Sequence, residues 1–166
     1  MLRKFLASRA AYFAGFVVSF GLVGLALFLQ VHYKLEPCPL CISQRIANMA
    51  LGVLFLLAAL HNPAGWWRKL HGVLQLAAAA TGVGIALRHM WIQAHPDEVM
   101  TECGAGFDYI IQSFPLKRAI ELIFKGTGEC SVIDWTFLGF TIPQLSLMAF
   151  IGLGVYVVAV MFARGK

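Results

Sequence analysis

Residues 36–60 read EPCPLCISQRIANMALGVLFLLAAL. From position 42 the stretch is almost wholly apolar for 19 residues, broken near its start by Gln44 and Arg45. That length approaches the ~20 residues a helix needs to cross the hydrocarbon of a bilayer. Three more runs of this kind follow the same rule, over 11–29, 73–91 and 143–163. The expected fold is therefore an all-α membrane protein, a four-transmembrane-helix bundle forming one integral membrane domain over residues 1–166. Composition agrees, with 60% hydrophobic residues, 13% charged and a mean hydropathy of +0.77. An ordinary soluble domain is ~45–50% apolar and ~25% charged.

The first run follows MLRKFLASR, which resembles a secretory signal. Its apolar part is 19 residues long and no small-x-small cleavage site follows, so an uncleaved spanning helix is expected. Pro143 suits the first turn of the fourth helix, where a missing N–H leaves nothing unsatisfied. Gly15 and Ser19, Gly21 and Gly24, Gly82 and Ala86, and Gly152 and Gly154 supply small faces for close helix approach.

Charge placement orients the bundle. Arg3, Lys4, Arg9, Arg68, Lys69, Arg164 and Lys166 fall at the termini and in the 61–72 connection, with no acidic residue among them. All eight acidic residues fall in the two opposite loops, 31–41 and 92–142. The positive-inside rule makes the first side, with both termini, cytoplasmic. The net charge of +5 thus reflects topology, and nucleic-acid binding is excluded. Trp66 and Trp67 fall at the inner interface, Trp91 and Trp135 at the outer one. In the second outer loop, FPLKRAIELIFKG (114–126) has the periodicity of a short amphipathic helix, lying on the membrane surface or on the bundle's end.

All four cysteines are in the outer loops: Cys38 and Cys41 in the first, Cys103 and Cys130 in the second. Four cysteines allow three pairings. An all-cysteine zinc site normally uses two close pairs, whereas 26 residues separate Cys103 from Cys130. No metal is expected. A c-type haem requires a histidine after the second cysteine, and Ile42 stands there. Structural disulfides in a non-enzymatic membrane scaffold are one alternative, and a haem- or quinol-linked carrier using His89 is another. A C-x-x-C bridge closes too small a loop to restrain the unfolded chain much, so its geometry suits redox exchange.

Pro37 and Pro39 stiffen the chain and hold Cys38 out of the helix, towards water. With Pro39 as the first helical residue, Cys41 sits in the first turn, where unpaired N–H groups favour a thiolate. Arg45 is four residues on and shares its face. An arginine this near hydrocarbon is a functional candidate. His89 lies at a similar depth on the third helix. His32, His61, His71 and His95 read as loop residues without a role.

CPLCISQR opening the second span, RHMWIQ closing the third, DWTFLGFTIPQLSL entering the fourth and the two loop cysteines together resemble the disulfide bond formation protein B (DsbB) family of bacterial inner membranes. The likeness covers nearly the whole chain. A vitamin K epoxide reductase is the nearest rival, but its loop cysteines precede the C-x-x-C, the reverse of the order here. The resemblance implies a protein thiol:quinone oxidoreductase that reoxidises a periplasmic DsbA-like dithiol oxidase and passes two electrons to the membrane quinone pool. It implies ubiquinone as acceptor, with menaquinone the alternative. It pairs Cys103, the cysteine attacked by the partner, with Cys130, and Cys38 with Cys41 beside the quinone. Arg45 and His89 match positions that line the quinone site.

Overall fold

The four apolar runs fold into four helices: α1 Arg9–Tyr33, α2 Pro39–His61, α3 Gly65–Ala94 and α4 Ile142–Ala163. Each is long and apolar enough to cross a membrane. This is a computed structural model, and it describes residues 6, 8–98, 112, 113, 115, 117, 128–133 and 135–163. The amphipathic helix expected over 114–126 lies largely outside those residues.

Helix ends follow local chemistry. α1 stops where Lys34 turns into the left-handed region (φ 53°) and returns its N–H to Gln30 O. α2 opens on Pro39, whose missing N–H is harmless there, and closes at Asn62 (φ 44°), whose N–H returns to Ala58 O. α4 is capped from within: Gln144 Oε1 accepts the Thr141 N–H at 2.8 Å, half of a capping box. Just before it, β1 (Thr136–Phe137) and β2 (Phe140–Thr141) form a small antiparallel hairpin. Its turn residues Leu138 and Gly139 both have positive φ, as a type I′ turn requires.

The helices overrun the apolar runs. α3 begins at Gly65, eight residues before position 73, so only residues 62–64 separate it from α2. His61 and His71 consequently lie on helices, not in a loop, with ring centroids 5.9 Å apart, and His32 lies in the last turn of α1. Hydropathy marks only the part of a helix that needs hydrocarbon, whereas backbone hydrogen bonding continues past that depth.

α1 packs on α2, α2 on α3 and α3 on α4, whereas α1 and α4 touch sparingly. Tyr12, Leu51, Phe55, Phe150, Leu153 and Val157 form much of the shared core. Gly15 leaves room for the Phe55 ring, and Gly82 for the Phe150 ring. Gly21, Gly24 and Gly152 face open space, so only some of the small-residue pairs mark helix contacts. Buried polar groups tie helices together: Asn48 Nδ2 donates to Ser19 O at 3.1 Å, and Tyr156 Oη donates to Ala11 O at 2.8 Å. Outward-facing apolar side chains, including Phe28 at 63% and Phe162 at 78% exposure, cover the bundle. Such a surface suits lipid rather than water, and the chain is a multi-pass membrane protein.

Candidate active site

The site is built where α2 begins. Pro37 and Pro39 hold Cys38 extended (φ −66°, ψ 162°), and Cys38 becomes the N-cap of α2. The Cys41 N–H donates to Cys38 Sγ at 3.4 Å, and the Ile42 N–H to Cys38 O at 3.2 Å. Cys41 lies in the first turn, as the sequence implied. The sulfur that receives the free N–H of that turn, however, is Cys38.

Cys38 is also not presented to water. It is 6% exposed, because the 3₁₀ turn Gly128–Ser131 packs on α3 and buries Cys130 against it. Cys38, Leu40, Ile85, Ile92 and Cys130 form one apolar cluster, with Cys41 packed on its edge. A turn of the second loop thus supplies the cover that a reading of local chain stiffness could not include. Cys38 and Cys41 are free thiols. Cys103 lies outside the described residues.

His89, 2% exposed on α3, completes the cluster. Gln44 Nε2 donates to His89 Nδ1 at 3.2 Å. That places the imidazole proton on Nε2, which stands 3.7 Å from Cys38 Sγ. Two donors, the Cys41 N–H and the His89 ring, therefore converge on one sulfur. Hydrogen bonds to a charged acceptor are about twice as strong as neutral ones, so both donors suit an anionic group at that point.

Arg45 lies one turn further along α2 and donates through Nη1 to Gln30 Oε1 on α1. Among the described residues its partner is this neutral amide and not a carboxylate. Gln30, Arg45, Gln44, Cys38, Cys41 and His89 all line one cavity of about 190 Å³. Asn48 lines it as well, and its Oδ1 is buried with no hydrogen-bond partner among the described residues. Leu22 and Leu25 of α1 and Leu145 and Ala149 of α4 make the apolar wall, where those two helices diverge. A cavity of about 150 Å³ accommodates benzene, so this one is large enough for a substituted six-membered ring.

The structure thus brings together five of the six residues singled out in the sequence: Cys38, Cys41, Cys130, Arg45 and His89. It adds Gln30, Gln44 and Asn48. Gln44 and Asn48 are amides inside an apolar run, the signal by which they were detectable, whereas Gln30 stands just past the end of the 11–29 run.

A family profile described as "Disulfide bond formation protein DsbB" matches residues 8–160. A protein named disulfide bond formation protein B from Methylobacillus flagellatus is 70% identical over 164 residues, covering 99% of both chains. Proteins of the same name from Nitrosococcus oceani and Xanthomonas axonopodis pv. citri are 43% identical over 150 residues and 44% over 149. Those alignments cover 90% and 89% of this chain, and 89% and 87% of the relatives.

Proposed function

The chain belongs to the disulfide bond formation protein B family, and on that premise we propose that it is a thiol:quinone oxidoreductase of the bacterial inner membrane. It reoxidises a periplasmic DsbA-like dithiol oxidase and reduces ubiquinone, or menaquinone. The observation that carries this reading is one cavity lined by both thiols of the C-x-x-C, by Arg45 and by His89, with an apolar wall between α1 and α4.

The cavity's polar groups suit a quinone headgroup. Carbonyl oxygens need donors, which Arg45 and the Gln44–His89 pair offer. Hydroxyls of the reduced form need an acceptor, and Asn48 Oδ1 is a buried acceptor without a partner among the described residues. When bound, a quinone supplies the acceptor for two electrons.

The thiol chemistry follows by exchange. A thiolate of the reduced partner attacks Cys103 of a Cys103–Cys130 disulfide, forming a mixed disulfide and freeing Cys130. Cys130, in the same buried cluster as Cys38, attacks that sulfur and expels Cys41 as a thiolate beside Arg45. The partner's second thiolate resolves the mixed disulfide, leaving the partner oxidised and Cys103 reduced. Cys103 then attacks Cys130 and expels Cys38, whose thiolate is received by the Cys41 N–H and His89. Cys38 and Cys41 reclose their disulfide as two electrons and two protons leave for the quinone. Arg45 stabilises the negative charge that develops in the cavity.

The acceptor must be strong. DsbA stands at about −120 mV, and about 30 mV corresponds to about 1.4 kcal/mol for a two-electron couple. An ordinary structural disulfide, below about −300 mV, cannot oxidise it. A C-x-x-C drained by the respiratory quinone pool can.

The test uses the purified full chain in detergent with ubiquinone and a reduced dithiol oxidase. Quinone absorbance is expected to fall in step with partner oxidation. A folded sample that leaves the quinone unreduced would refute the reading.

A further inference from the structure

Cys38, Cys41 and His89 are arranged as ligands as well as redox groups. Their two sulfurs and a ring nitrogen all lie within 4.8 Å of one another. Cys38 Sγ and His89 Nε2 are 3.7 Å apart. In a tetrahedral zinc site, with arms of about 2.3 Å to sulfur and about 2.0 Å to nitrogen, that edge comes to about 3.5 Å. One edge of the tetrahedron is therefore already set, and Cys41 needs to close by only about 1 Å to set the others. This ligand set differs from an all-cysteine site: it takes one close pair and an imidazole from another helix, so the spacing of Cys103 and Cys130 has no bearing on it.

The surroundings meet the other requirements of a metal site. The Cys41 N–H already bonds Cys38 Sγ and holds that sulfur in place. Gln44 holds the far nitrogen of His89. Rotation of that amide presents its oxygen to Nδ1–H and turns the Nε2 lone pair towards the sulfurs, the usual second-shell arrangement for a metal-bound imidazole. Two exposed carboxylates, Glu36 and Glu129, line the same cavity and draw cations towards it. The cavity leaves a fourth position for water. Two thiolates neutralise a dication, so nearby Arg45 meets an uncharged complex. Soft sulfur and imidazole ligands select zinc or cadmium over magnesium or calcium.

We propose that the reduced Cys38–Cys41 pair and His89 bind one soft divalent cation, zinc or cadmium, which locks the pair as a dithiolate. Binding forms two metal–sulfur bonds and one metal–nitrogen bond and releases the two thiol protons. No electrons move. The disulfide form has no thiolates and does not bind. Metal capture therefore competes directly with reclosure of the disulfide. The proposal rests on the ligand geometry and holds whatever molecule the cavity accepts.

The experiment uses the full chain in detergent, reduced with dithiothreitol and freed of it without air. Titration with Cd²⁺ is expected to raise an ultraviolet thiolate-to-metal charge-transfer band that saturates at one Cd²⁺ per chain, with or without Cys103→Ser. Cys41→Ser abolishes the saturable band, and His89→Ala weakens binding about tenfold or more. In the wild-type protein, Cd²⁺ or Zn²⁺ blocks closure of the Cys38–Cys41 disulfide by the thiol oxidant diamide, and EDTA restores it. This last readout needs neither quinone nor a variant that folds. The proposal is overturned by absence of a saturable band, by a band that requires Cys103, by unchanged affinity in folded His89→Ala, or by diamide closing the disulfide equally fast with metal present.

Discussion

Gln44 Nε2 donates a buried hydrogen bond to His89 Nδ1 at 3.2 Å, joining α2 to α3 directly behind Cys38. The bond fixes which ring nitrogen faces the sulfur. Gln44→Leu removes the donor, leaves Nδ1 buried without a partner and frees the ring to turn. An unsatisfied buried group costs about 1–3 kcal/mol. We expect quinone reduction to slow about tenfold or more, corresponding to about 1.4 kcal/mol of lost positioning. Trapping of the partner at Cys103 should be unchanged. Gln44→Glu offers only acceptors, requires the proton on Nδ1 instead of fixing it on Nε2, and should not restore the wild-type tautomer. Stopped-flow quinone absorbance gives the rates, and ¹⁵N shifts of the imidazole report the tautomer directly. A Leu variant with the wild-type rate and tautomer would remove Gln44 from the mechanism.

Arg45 is held by a neutral partner, the Gln30 amide on α1. Among the described residues no carboxylate pairs with it, so its charge is available to an anion in the cavity. Loss of one preorganised donor to a developing oxyanion costs about 10²–10³ in kcat. Arg45→Ala should lose about that much quinone turnover while still forming the mixed disulfide with the partner. Arg45→Lys keeps the charge and loses the fork, so it should fall between the two. Gln30→Leu should raise the KM for quinone with a smaller change in kcat, because the guanidinium remains but is no longer aimed. Steady-state kinetics with varied quinone separates these outcomes. Equal loss of mixed-disulfide formation in Arg45→Ala would point to misfolding.

Much of this architecture was legible because hydrocarbon imposes a simple length rule. The four helices, Pro39 as the opening of α2 and Cys41 in its first turn all follow from short stretches of sequence. Residues 65–72 did not follow, since hydropathy does not report helix that continues beyond the apolar layer. Nor did the burial of Cys38, which depends on a turn 90 residues later packing onto α3. The hairpin at Thr136–Thr141 rests on two consecutive positive φ values at Leu138 and Gly139, and leucine gives no advance sign of one. Gln44 was visible as a polar residue in an apolar run. Its role was not, because its partner His89 lies 45 residues away and only helix packing brings them together.

Two glycines on α3 test how closely the bundle packs. A Cβ at Gly82 would overlap the ring of Phe150 on α4, whereas one at Gly84 meets nothing within 4 Å. Gly82→Ala should destabilise the bundle by about 1–3 kcal/mol, the usual effect of overpacking a filled core. Gly84→Ala should stay within about 0.5 kcal/mol of wild type. Unfolding in graded dodecyl sulfate, followed by circular dichroism, measures both. Equal midpoints would show that α3 and α4 do not meet at Phe150. Gly82→Ala combined with Phe150→Leu should recover part of the loss.

Cys38 and Cys130 belong to one buried cluster, with Cys41 at its edge facing the cavity. Exchange between the loops should therefore run through Cys38, and delivery to the quinone through Cys41. In Cys41→Ser the thiol that recloses the pair is missing, and Cys38 is left as a lone thiol. The variant should still capture the reduced partner at Cys103. Cys130 then finds no Cys38–Cys41 disulfide to attack, so the inter-loop disulfide cannot form and the mixed disulfide at Cys103 accumulates. Quinone reduction should fall below detection. Mass spectrometry of a non-reducing digest identifies the linked peptides, and quinone absorbance gives the turnover. Cys38→Ser should stop at the same stage: without the sulfur that Cys130 attacks, the inter-loop disulfide cannot form, and the partner remains bound at Cys103. Sustained turnover in Cys41→Ser, or a linkage of Cys130 to Cys41 in the wild-type intermediate, would reverse the order of the two thiols.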